Sequence, residues 1–152
     1  SGAPILALNA TRELSRRISK VGLDGLTPDE RAQLPPTLDL TNAAHRAWVR
    51  GIFEGHGMPM DDATFERFYA AQVCWDETMA HAAATYLGAD PQRRMFIMAG
   101  SGHVIHDHGI PSRLARTIPR AQLLTVLPIS RADSVDLASE RANPRADILW
   151  VE

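Results

Sequence analysis

Three histidines fall within six residues in the stretch Gly100-Ser101-Gly102-His103-Val104-Ile105-His106-Asp107-His108-Gly109-Ile110-Pro111. Neutral imidazole is the commonest protein ligand for metal ions, and it also serves haem iron. His103, His106 and His108 are therefore candidate ligands to a metal or to haem iron. A second reading makes them exposed or hydrogen-bonded loop residues, and the spacing by itself leaves both open. In an extended segment His106 and His108 share a face while His103 points the other way, so the three need not meet at one ion.

The elements around the cluster have to position it. Met95 to Ala99 is a short apolar run with the length of a buried strand in a parallel sheet. Gly100-Ser101-Gly102 ends that run, and open α/β sheets place ligands just beyond the carboxyl ends of their strands. Gly109-Ile110-Pro111 closes the loop, with Ser112 as N-cap of a helix from Arg113 to about Thr117. The longest helix is expected from a cap at Asp61 or Asp62 to about Leu87, stopped by Gly88. Along it Phe65, Tyr69, Gln72, Asp76, Met79, Ala83 and Tyr86 repeat at spacings of three and four and so form one stripe. Asp76 interrupts an otherwise apolar face. It is expected to be buried, either as a structural acceptor or to orient a site histidine. Trp75, beside the stripe, reads as core, as do Tyr69 and Tyr86, although a phenolate can also ligate haem iron. His81 lies off the stripe and reads as solvated. His56, Met58 and Met60 sit in a Gly/Pro-rich loop whose residue types suit a soft metal or a porphyrin as well as a plain surface loop.

The remaining chain alternates between the two periods. Pro4 to Leu8 reads as a strand, and Arg12 to Val21 as an amphipathic helix capped by Asn9 or Thr11 and stopped at Gly22. Thr27-Pro28-Asp29-Glu30 opens a short helix, and Thr41 or Asn42 caps another that runs to about Phe53. Gln122 to Pro128 and Asp147 to Val151 read as further strands, the last at a sheet edge, with a polar loop or poorly packed helix over 130 to 146 between them. This pattern predicts one domain over residues 1–152. It is a three-layer α/β domain with a largely parallel sheet flanked by helices, and Met95 to Ala99 lies near the sheet's middle.

Composition bounds the function. The chain has 152 residues, 45% of them hydrophobic, which is enough for a packed core and excludes a disordered chain. A net charge of −2 gives no electrostatic case for nucleic acid. The single Cys74 excludes an internal disulfide, and no apolar run is long enough to span a membrane.

Several blocks, in order, resemble the ChaN-like haem-binding lipoproteins, a group related to the Tiki proteases and erythromycin esterases. They are Leu8-Asn9-Ala10-Thr11-Arg12-Glu13, the helix segment Ala71-Gln72-Val73-Cys74-Trp75-Asp76-Glu77-Thr78-Met79-Ala80, and Gly100-Ser101-Gly102-His103 continued to Arg113. The resemblance implies a haem-binding protein for haem or iron uptake in the bacterial envelope. His106 is the favoured iron ligand, standing where relatives carry an axial tyrosine; His103 orients or hydrogen-bonds, and His108 is the alternate ligand. Tyr69, Trp75, Met79, Met58 and Met60 are candidates for the porphyrin wall. The resemblance further implies a homodimer with the histidine loop at its interface. Membrane association would come only through an upstream anchor. This chain would correspond to the C-terminal portion of a longer protein whose Gly-Glu-x-His segment lies upstream. The alternative is a metal-dependent hydrolase of the Tiki type, with His103 as metal ligand and Asp76 or Glu77 as base.

Overall fold

The computed structural model describes residues 2–55, 61–133 and 135–152. His56, Met58 and Met60 lie outside them. In chain order the elements are α1 (Arg12–Val21), α2 (Pro28–Arg31), α3 (Ala43–Gly55), α4 (Asp62–Gly88), two 3-10 turns (Ser101–His103 and Ile105–Asp107), α5 (Ile110–Thr117), β1 (Val126–Ile129), α6 (Leu137–Ala142) and β2 (Ile148–Val151).

Local chemistry sets most helix starts. Thr11 accepts the Leu14 N–H at the head of α1. Thr27 and Glu30 form a reciprocal capping box on α2, with Pro28 at the first helical position. Asn42 accepts the His45 N–H, 2.9 Å, at the start of α3, and Asp61 caps α4 through Thr64 N–H, 2.8 Å.

Helix α4 is the spine. Its buried residues include Phe65, Tyr69, Val73, Asp76, Met79 and Ala83, so the stripe expected from spacing is the one that packs. One end of it packs with Leu14 and Ile18 of α1, and the other with Ile110 and Leu114 of α5. Val49, Phe65, Tyr69 and Val73 make a third cluster between α3 and α4.

The strands depart from expectation. The structure is mixed α/β, but among the described residues its sheet has two strands, β1 and β2, paired in parallel with Val126 opposite Ile148 and Ile129 opposite Val151. Neither 4–8 nor 95–99 belongs to that sheet. Met95, Ile97 and Ala99 do turn one row of side chains onto the α4–α5 cluster. Phe96 and Met98, the other row, are each 86% exposed. No backbone hydrogen bond joins either segment to a neighbour among the described residues. Alternation fixes which side of an extended segment is buried; pairing needs a neighbouring strand as well. Helix α5 begins at Ile110, three residues before the expected start, with Pro111 in its first turn, so Ser112 is inside the helix and not its cap. The 130–146 region contains α6, capped by Asp136.

Candidate functional site

The histidine loop sits on a floor made by α3 and α4. The inner end is His103, whose Nδ1 lies 2.6 Å from Asp76 Oδ1. Gln72 Nε2 stands 3.1 Å from the same ring nitrogen. Asp76 is fully buried. Burial pushes its carboxyl pKa up, and the hydrogen bond from His103 opposes that shift. Trp75, half-buried, meets the His103 ring edge-on at 5.8 Å. Asp76 is buried, as its place on the stripe requires, and its hydrogen-bond partner is the first histidine of the loop.

A residue that the sequence did not single out completes the floor. His45 of α3 is fully buried, and among the described residues neither ring nitrogen has a hydrogen-bond partner. Its Nε2 lies 3.8 Å from Asp76 Oδ2, too far for a hydrogen bond, and that oxygen is also unpartnered. Burial pulls the His45 pKa down to about 4, so the ring is neutral across the physiological range. Its neighbours are Tyr69, edge-on at 5.4 Å, Trp48, stacked at 6.4 Å, and His108 at 5.8 Å. Only its spacing of four from the buried Val49 in α3 could have hinted that His45 faces inward.

The loop's end is clamped by charge. Arg113, buried, donates from Nη1 to the carbonyls of His108, 2.6 Å, and Gly109, 3.0 Å. Its Nε stands 3.2 Å from Glu77, which Arg116 also engages through both carboxylate oxygens at 2.9 and 2.7 Å. Gly109 is required sterically, because a Cβ there would lie 2.2 Å from the His103 carbonyl oxygen. Inner histidine and loop end thus touch back to back.

The outer end is His106. It has φ 55° and is followed by Asp107 at φ 57°, two consecutive non-glycine residues in the left-handed region. Such backbone is held only where surroundings enforce it. Here the His106 N–H donates to the Arg145 carbonyl, 2.9 Å, and its Nδ1 lies 3.0 Å from the Pro144 carbonyl. The 144–145 segment is in turn fixed by Arg145, whose Nε and backbone N–H both engage Glu140 of α6. A carbonyl only accepts, so Nδ1 carries a proton, and in the neutral ring Nε2 is then the nitrogen with the lone pair. His106 and His108 are half-buried with ring centres 5.6 Å apart. Burial lowers the His108 pKa, with His106 as a smaller cause.

The structure therefore brings His106 and His108 together and turns His103 inward. Tyr69 is in the core, 1% exposed, with its hydroxyl on the Asn42 carbonyl. Met79 and His103 border a cavity of about 670 Å³ between residues 3–9 and 94–100, which neither His106 nor His108 lines. His81 is exposed, as expected. Among the described residues no group of three or more His, Cys, Asp or Glu is arranged to hold a metal ion. No helix among them is long and apolar enough to cross a membrane.

Among curated proteins and solved structures, none matches the chain. Residues 1–114 match the family model described as haem-binding uptake, Tiki superfamily, ChaN. That match takes in the capped start of α1, the α4 spine with Asp76, and the whole histidine loop through Arg113. The chain belongs to the ChaN family of the Tiki superfamily.

Proposed function

We propose that this protein binds haem for uptake or handling, with His106 Nε2 as the axial ligand to iron. The observation that carries this reading is the Nδ1–H donated to the Pro144 carbonyl. A backbone carbonyl on the far nitrogen fixes the tautomer and ring orientation of a ligating histidine and raises its basicity. The left-handed backbone at His106 and Asp107 supports the same reading, since strain of that kind collects at ligand sites. A haem needs one good axial donor and an apolar surround, and this donor set fits that need better than it fits a three-ligand metal centre. His108 offers ring surface beside the ligand, and Trp48 packs in turn against His108. When bound, the haem would supply the iron as cargo or as redox centre.

Haemin titration followed by the Soret difference spectrum tests it. His106→Ala should weaken binding by at least about tenfold, equivalent to ~1.4 kcal/mol. His81→Ala should leave it unchanged. Unaltered haemin binding by His106→Ala would overturn the assignment. An isologous dimer with the 103–108 loop at its interface, and a location in the bacterial envelope, belong to the same proposal. Sedimentation with and without haemin tests the dimer.

The second reading, a metal-dependent hydrolase, is favoured by the Asp76–His103 pair at the rim of the cavity. A buried carboxylate on a histidine is how ligating or proton-transferring imidazoles are held. Such a site takes three protein ligands, which the described residues do not assemble. Metal analysis of the purified protein separates the two readings.

A further inference from the structure

The pairing of His106 with His108 has a chemistry of its own. Both rings are half-buried, their centres are 5.6 Å apart and their planes are inclined by 48°. His106 has Nε2 free, and the His108 ring has no hydrogen-bond partner among the described residues, only ring contacts to His45, Trp48 and His106. A nitrogen bound to zinc at about 2.0–2.1 Å puts its ring centre about 3 Å from the ion. Two rings on one ion then have centres about 5 Å apart at a tetrahedral angle and about 6 Å apart in opposition. The observed separation lies inside that interval, so the spacing of the two rings matches that of two imidazoles on one ion.

The same geometry does not serve haem from both sides. Two residues of chain reach at most about 7 Å, too little to pass around a macrocycle whose opposite faces the two rings would have to occupy. Haem can take one of the pair, whereas a bare ion can take both. No third His, Cys, Asp or Glu joins them among the described residues, so water would fill the remaining positions and the ion would exchange readily.

We propose that His106 and His108 chelate a free divalent transition-metal ion, of the zinc, nickel or copper(II) class, and that the bound ion competes with haem for His106. The proposal rests on the haem reading of His106 for its second half. Its first half stands on the ring geometry alone. Haem loading would then depend on the free metal around the protein, with metal-poor conditions favouring haem.

The experiment uses the whole chain without an affinity tag, and zinc chloride as the probe because zinc has no redox chemistry of its own. Calorimetry should find one zinc per chain, lost in both His106→Ala and His108→Ala. At zinc about ten times its own dissociation constant, the haemin midpoint should move by about tenfold in the wild type. In His108→Ala the zinc-induced shift of the haemin midpoint, measured against that variant's own zinc-free midpoint, should vanish. His108→Gln repeats the test with a polar side chain of similar reach, in case alanine loosens the packing on Trp48 and His45. Absence of zinc binding overturns the chelate, as does zinc binding that survives removal of His108. If zinc binding needs both histidines but haemin binding ignores His106→Ala, the chelate stands and the haem assignment falls.

Discussion

His103 and His106 are three residues apart in one loop and belong to two different structures. His103 is bonded inward to a fully buried carboxylate on α4, whose other oxygen faces the buried His45, and lies beside a clamped, sterically closed turn. His106 is bonded outward to the carbonyls of residues 144 and 145, in a strained backbone, with Nε2 unpartnered among the described residues. The inner histidine is embedded in what holds the fold together; the outer one is held through its backbone and one ring nitrogen at the loop's half-buried end. Residue type is the same at both positions, so the difference comes entirely from what the second ring nitrogen and the backbone find nearby.

That contrast can be broken by variants that should affect stability at the inner end and binding at the outer end. The largest loss of stability is expected for Glu77→Ala. It leaves the Arg113 guanidinium buried without its carboxylate while Arg113 still holds the loop carbonyls. Removing one partner of a buried pair costs roughly 3–5 kcal/mol, which chemical denaturation should read directly. A loss below about 1 kcal/mol would mean that the clamp is dispensable.

Next comes the pH response of His45. Its folded pKa, about 4, is below the ordinary 6.5, so the unfolded chain takes up a proton that the folded chain refuses. Its contribution is therefore complete above pH 6.5 and is lost as pH falls toward 4. The total is about 3 kcal/mol, from 2.5 units at ~1.36 kcal/mol each. Asp76, whose pKa is raised, works in the opposite sense over part of that window. Comparing wild type with His45→Phe isolates the histidine: the difference in unfolding free energy between the two should change by that amount from pH 7 to pH 4. A constant difference would show that His45 takes up its proton over the same pH range in the folded and unfolded chain.

A smaller effect is expected at Asp76. Asp76→Ala should destabilise by about 1–3 kcal/mol, because His103 Nδ1–H loses its acceptor. Asp76→Asn should cost less, since an amide oxygen can accept the same bond without the burden of burying a charge. If Asn proves as damaging as Ala, the carboxylate's charge and not its acceptor is what the inner site uses. The smallest stability change is expected for His106→Ala, under about 1 kcal/mol, although the same variant should show the largest loss of haemin binding.

The sequence made the α4 stripe legible because helical period and capping are local properties. Phe65, Tyr69, Asp76, Met79 and Ala83 are buried as their spacing requires, and Thr11, Thr27 and Asp61 cap where side-chain chemistry places them. It also marked the histidine loop and the family, because those motifs are contiguous. The sheet was not legible in the same way. The run 95–99 has the composition of a central strand, yet pairing is a relation between segments far apart in the chain, and among the described residues only 126–129 and 148–151 realise it. The same limit applies to the site. Nothing within 100–111 shows that His103 meets Asp76, that His45 lies beneath His108, or that Pro144 and Arg145 hold His106 from beyond the family-matched region. Sequence by itself determined which residues could ligate; the tertiary structure decided which nitrogen is free to do so, because a ring's tautomer and aim are set by partners that only folding brings within 3 Å.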